Sequence, residues 1–230
     1  MLDINTHRSL LLQILKEVYS NTTLGPVLGF KGGTASYLFY DLNRFSVDLD
    51  FDLLEESKEG YIFERIGEIV TGFGKLKEKF NKRFTLFFVI SYSEKHQNIK
   101  IEINKRPFGS NYELKNYLGI SMLVMVKEDM FAHKLVALDE RKKIANRDIF
   151  DIWFYLKNNW DINEELIKKR TGLKLNDYIK KCISLIETVN ERYILQGMGE
   201  LLDEKLKIWT RENLKKDVLF LLKLKLKELK

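Results

Sequence analysis

Apolar residues recur every three or four positions from Leu10 to Tyr19, which predicts an opening helix. Pro26–Phe30 reads as a short strand stopped by Gly32 and Gly33, and Thr34 then offers a hydroxyl that can cap a short helix through about Leu42. The period next falls to two. Over Ser46–Leu54, Val47, Leu49, Phe51 and Leu53 alternate with Asp48, Asp50 and Asp52, as in a half-buried strand. A helix is predicted over Ile62–Gly72, followed by strands at Phe84–Tyr92 and Ile99–Asn104; the second alternates Ile99, Ile101 and Ile103 with Lys100, Glu102 and Asn104.

Beyond about Leu123 the period stays near 3.6. Helices are expected at Lys127–Ala145, Arg147–Asn158, Glu164–Thr171, Leu175–Glu191, Met198–Trp209 and Arg211–Leu229. The chain is therefore read as α+β, a mixed sheet flanked by helices followed by a helical bundle. Pro107, Gly109 and Gly119 punctuate the change, which places the division at residues 1–122 and 123–230.

Composition narrows the class. An apolar fraction of 45%, with 15 Phe and only two Pro, supports packed cores and excludes a disordered chain. The single cysteine, Cys182, rules out an internal disulfide or a cysteine zinc cluster and leads one to expect a reducing, cytoplasmic setting. No signal peptide is legible, and no apolar run reaches the roughly 18 residues of a membrane span, so neither secretion nor membrane partnership is expected. The net charge of +6 suits a phosphate-bearing partner, although lysines along the C-terminal helices also serve simply to solvate them.

Chemistry concentrates in Lys31–Asp52, KGGTASYLFYDLNRFSVDLDFD. Asp48 and Asp50, two apart on a strand, share one face while Val47, Leu49 and Phe51 take the other. Such close carboxylates repel unless a cation lies between them, and magnesium is the usual hard, oxygen-seeking choice. The Gly32–Gly33 turn lets a ligand approach bare backbone at a helix N-terminus, where N–H groups receive phosphate oxygens. The plain alternative is an acidic outer strand face, but three like charges along one face cost stability. Asp52 shares that face, and Glu102 on the neighbouring strand is either a third carboxylate or an ordinary exposed residue.

A glycine turn followed by a DxD strand resembles the first motif of the polymerase-β-like nucleotidyltransferases. More narrowly, KGGTA followed by RFSVDLDF, with Arg44 and Ser46, resembles the AbiEii/AbiGii-type toxins. The resemblance extends to Lys127–Tyr155, where Lys134, Leu135, Ala137 and Leu138, then Arg147, Asp148, Asp151 and Trp153, match the family pattern. On spacing alone, Lys134 falls on the inward stripe with Met130 and Leu138, where it either snorkels outward along its aliphatic stem, the plainer reading, or is buried and needs an anion. Arg147 and Asp151, four apart, could form a plain surface pair, and Asp148 could be a first-turn acid favoured by the helix dipole.

The resemblance implies transfer of a nucleoside monophosphate from an NTP to an acceptor. In that scheme Asp48 and Asp50, with Glu102, hold two Mg2+; Gly32, Gly33 and Thr34 receive the phosphates; Lys134 holds the triphosphate; and Asp148 or Asp151 completes the site, with Glu102 or Asp151 available as a base. RNA, including tRNA, is the acceptor implied by relatives, a cognate antitoxin the implied protein partner, and a monomer the expected state. The rival readings are a small-molecule nucleotidyltransferase of the antibiotic-modifying kind and an inert nucleotide- or partner-binding scaffold. His7, His96 and His133 lack metal-ligand spacing, and His133, on a different side of its helix from Lys134, reads as a packing or surface residue, while Trp153, Phe154, Tyr155 and the Leu219–Leu229 stripe read as core.

Overall fold

The structure, a computed structural model, describes residues 2–94 and 98–229; His96 lies outside them. The chain divides into two compact units, residues 1–107 with 111–125, and residues 108–110 with 126–230. The first carries a seven-stranded mixed sheet and the second is helical among the described residues.

In the first unit, helix α1 (Ile4–Ser20) starts earlier than the apolar period suggested, because Asp3 caps it by accepting from the N–H groups of Asn5 and Thr6. Its buried face runs His7, Leu11, Ile14, Leu15 and Val18. Strand β1 (Leu28–Lys31) follows a short 3-10 turn at Gly25–Val27 and leads directly into α2 (Gly32–Phe39). Thr34 is not the cap. Lys31 occupies that position in extended conformation, and Thr34 lies in the first turn. Strand β2 (Leu49–Leu53) is shorter than expected, so Asp48 sits just ahead of it. Helix α3 (Glu59–Thr71) buries Ile62, Ile66 and Val70, and packs on α1 and on β3 (Lys75–Lys82) and β4 (Thr85–Ser91). Strand β5 (Ile99–Asn104) has the bounds its alternation predicted.

Strands β3, β6 (Tyr112–Tyr117) and β7 (Ile120–Met125) escape the periodicity reading. The sheet order is β3-β4-β5-β2-β1-β7-β6, so β3 and β6 are its edges. Both are largely polar, as edges must be to discourage pairing with other chains, and that erases the alternation by which strands are recognised. The β6–β7 turn places Leu118 and Gly119 at φ of 50° and 81°, the left-handed pair of a tight hairpin. Strand β7, ISMLVM, runs parallel to β1 and is covered at Met122, Val124 and Met125, so its mostly apolar run does not alternate clearly.

The second unit comprises α4 (Lys127–Glu140), α5 (Asn146–Lys157), α6 (Glu164–Thr171), α7 (Leu175–Glu187) and α8 (Glu204–Glu228). Helix α4 stops at Glu140, short of the expected Ala145, as Arg141 turns extended. The two helices expected at the C-terminal end are one. Gly197, at φ 73°, and a 3-10 turn at Gly199–Leu201 precede it, Asp203 caps it, and no breaker interrupts the 25 residues that follow. Trp153, Phe154 and Tyr155 are buried as expected, with Tyr155 stacked on Trp160 at 4.1 Å and 9°. The Leu219–Leu229 stripe is only partly core: Leu222 is covered, whereas Phe220 and Leu224 are exposed, because the buried line of α8 runs Thr210, Leu214, Val218, Leu222.

Candidate active site

Strand β1 delivers Lys31, and the next residue, Gly32, adopts a φ of 77°. Only glycine takes that conformation without strain, and a Cβ on Gly32 would stand 2.3 Å from Asp50 Oδ2. The Asp50 carboxylate therefore lies directly against the first residue of α2. A Cβ on Gly33 would meet Arg44 Nη2 and Ser46 Oγ, each at 2.8 Å. Thr34 donates its hydroxyl to the Asp48 carbonyl, tying the segment that carries Asp48 to the same turn of α2. The glycine bend and both acids of the DxD pair thus form one locus.

Sheet register extends it. Lys31 pairs with Asp50 across β1 and β2, and Asp50 pairs with Glu102 across β2 and β5. Asp48 and Asp50 are half-buried, whereas Glu102 is exposed. Among the described residues no three His, Cys, Asp or Glu side chains gather closely enough to hold an ion, so Glu102 stands beside the pair without closing a three-ligand set. The Asp48 and Asp50 oxygens are the donors a hard divalent cation selects, and the missing Cβ at Gly32 is what lets one of them reach the helix N-terminus.

Asp52, on the same strand face, is otherwise engaged. It pairs with Lys31 Nζ at 2.5 Å and accepts from Tyr112 Oη at 2.5 Å and Asn104 Nδ2 at 2.7 Å. Burial by itself would raise its pKa, yet the Lys31 ammonium and the donated hydrogen bonds outweigh burial and hold it below the ordinary carboxylate value. The Tyr112 ring lies over Gly29, where a Cβ would be 2.2 Å away. Asp52 braces the strands beneath the site.

His7, which the sequence offered only as a histidine without metal-ligand spacing, supports the site. It is fully buried, with Nε2 2.9 Å from the Val47 carbonyl and Nδ1 2.9 Å from Tyr92 Oη. It therefore steadies the residue immediately before Asp48. Burial lowers its pKa more than the Val47 carbonyl and nearby Asp48 raise it. The available signal was position: His7 continues the Leu11, Ile14, Leu15, Val18 stripe by one turn.

In the second unit, Lys134 Nζ lies 3.0 Å from both Asp148 Oδ1 and Asp151 Oδ2, and Arg141 Nε lies 2.8 Å from Asp148 Oδ2. Both aspartates are 0% exposed. The anion required by an inward lysine is thus supplied by two carboxylates one helical turn apart on α5. Burial pushes Asp148 upward, but Lys134 and Arg141, followed by Arg147, pull its pKa below the usual carboxylate value. His133 packs between Ser110, 2.7 Å from Nε2, and Arg170, beside the Phe108 ring.

The profile of the family described as "Nucleotidyl transferase AbiEii toxin, Type IV TA system" matches residues 13–217. Two solved structures from Helicobacter pylori share the fold over nearly the whole chain. JHP933 has a TM-score of 0.65 at 22% identity, covering 100% of this chain and 95% of its own. A protein described as a candidate nucleotidyltransferase has 0.63 at 23%, covering 99% and 97%. No curated protein matches the sequence.

Proposed function

Because the chain belongs to the AbiEii family of nucleotidyltransferase toxins and is a nucleotidyltransferase, we propose that it transfers a nucleoside monophosphate from an NTP to an acceptor hydroxyl in a magnesium-dependent reaction, with an RNA as acceptor. The observation that carries this reading is the contact between Asp50 and the Gly32 bend, with Asp48 held to the same helical turn through Thr34. Asp48 and Asp50 would hold Mg2+, with Glu102 at the rim as an added carboxylate. Magnesium bound there would supply neutralisation of charge on the reacting phosphate. The first-turn N–H groups of Gly32, Gly33 and Thr34 would receive phosphate oxygens, aided by the helix dipole.

By the family pattern Lys134 would serve as a nucleotide-binding cation, with Asp148 and Asp151 positioning its ammonium. Their complete burial suits positioning better than proton abstraction, which leaves Glu102 as the better-exposed candidate base. A cognate antitoxin is the partner consistent with the family's description. Among the described residues no helix is long and apolar enough to cross a membrane.

Purified protein incubated with each α-labelled NTP, Mg2+ and total RNA tests the reading. Wild type should label an RNA species, and Asp50→Asn should lower the rate by at least about 100-fold, a loss of about 2.7 kcal/mol in transition-state stabilisation, without changing the melting temperature. An Asp50→Asn protein that labels at the wild-type rate would overturn the metal assignment. Label recovered only in a small molecule would overturn the RNA acceptor.

A further inference from the structure

A cavity of about 760 Å³ lies within the helical unit, bounded by the 141–147 connection, the C-terminal end of α7 and the turns around Tyr193. None of the proposed catalytic groups lines it, although Arg147 of the family pattern does and Arg141 reaches from it to Asp148. Four cations line it, Arg141, Lys142, Lys143 and Arg147, against one carboxylate, Asp139, which Lys181 already neutralises. Arg141 and Arg147 act on Asp148, but Lys142 and Lys143 have no hydrogen-bond or ion-pair partner among the described residues, and both are exposed. Two adjacent lysines left exposed on a short connection raise the positive potential at the cavity and suit a ligand with more than one negative charge.

The rest of the lining is chemically different. Leu138, Ile144, Leu185 and Val189 form an apolar wall, and Tyr193, 56% exposed, presents its ring at the mouth with the Arg192 guanidinium 6.0 Å from its centre. The Tyr193 backbone, by contrast, is fixed, since its carbonyl accepts from Asn146 Nδ2 at 2.7 Å. Apolar side chains and an exposed tyrosine ring beside cations suit a nucleobase linked to phosphates, and the cavity falls within the size range of small-ligand sites.

We propose that this cavity is a single-stranded RNA site, with Lys142 and Lys143 on successive phosphates and a base against Tyr193. A polymer is favoured over a free nucleotide because Lys142 and Lys143 are both exposed, which leaves each open to a phosphate of a longer strand. The proposal rests on the nucleotidyltransferase reading only for what the strand is used for; the binding itself is independent of it.

The test is fluorescence anisotropy with the full chain and a labelled mixed-sequence RNA octamer, without Mg2+ or NTP. Lys142→Ala/Lys143→Ala should weaken binding about tenfold and lower the slope of log affinity against log salt by about 1.4, the value for two phosphate contacts on a single strand. Tyr193→Leu should weaken binding about fivefold and leave the slope unchanged, because stacking releases no counterions. All three side chains are exposed, so melting temperatures should match wild type. Wild-type affinity in either variant overturns the proposal. So does displacement of the octamer by UMP at equal concentration, which would make the cavity a mononucleotide site, or equal binding of a duplex, which would reduce it to a general basic patch. Failure of the catalytic reading has a separate signature: no labelled product from wild type while octamer binding and its dependence on Lys142 and Lys143 persist.

Discussion

Replacement of Lys134 by Met keeps the stem's length and apolar character and removes only the charge. The ammonium lies 3.0 Å from each of two carboxylates that are 0% exposed, and its own side chain is only 14% exposed. At that distance each contact is worth about 5 kcal/mol of attraction in a medium of effective permittivity near 20. Much of this is cancelled by desolvation and by repulsion between the two acids. The measurable quantity is what happens when the cation leaves while the acids stay, and removing one partner of a buried pair costs about 3–5 kcal/mol. Arg141 still reaches Asp148, so the lower end applies, about 3 kcal/mol. For a chain of this size that corresponds to a fall in melting temperature of roughly 6–12 °C. Urea denaturation with thermal melts at pH 7 measures it. Asp151→Asn in the Lys134→Met background should restore at least about half of the loss, since the buried carboxylate that lost the ammonium is then neutral. A Lys134→Met protein within about 0.5 kcal/mol of wild type, or a double variant no better than the single, would refute the buried network. Any kinetic role for Lys134 must then be read well below the variant's melting temperature, where a raised KM for NTP reports on nucleotide binding rather than unfolding.

Three further outcomes follow from the geometry. Gly32→Ala combines a left-handed backbone with a Cβ aimed at Asp50 Oδ2, so it should cost about 1–2 kcal/mol in backbone strain and displace the carboxylate, with activity falling more than stability; an active, equally stable variant would count against the Gly32–Asp50 contact. His7 has a lowered folded pKa, so the unfolded chain takes up its proton first as pH falls; stability should decline on acidification through about pH 6.5, and this part of the decline should vanish in His7→Gln, as followed by melting temperature from pH 8 to 5. Asp52 and Asp148 have lowered folded pKa values, so the stability they contribute is present above about pH 4 and lost below it; Asp52→Asn should flatten the acid limb of the stability curve, and an unchanged limb would show that the Lys31–Asp52–Tyr112 network is not what titrates.

Much of the candidate site's geometry was legible because it is local. Gly-Gly at a strand-to-helix junction and two acids spaced by one residue are short-range patterns, and the period of two around Leu49 and Phe51 forecast which side of the chain would be covered. The same locality explains the failures. Asp48, Asp50 and Asp52 are equivalent by alternation, yet Asp52 is withdrawn by Lys31, Tyr112 and Asn104, which come from three other strands. No spacing rule could separate it from its neighbours.

The sequence alone determined the succession of a mixed α/β part and a helical part, the glycine bend and the DxD pair, since each depends on residues within one or two turns or strands. Only the tertiary structure decided that polar β3 and β6 are sheet edges, that His7 steadies the approach to Asp48, that Asp148 and Asp151 share one ammonium, and that Lys142 and Lys143 border a cavity. These depend on which distant segments meet, and pairing energy between segments far apart in the chain leaves no periodic trace in either of them.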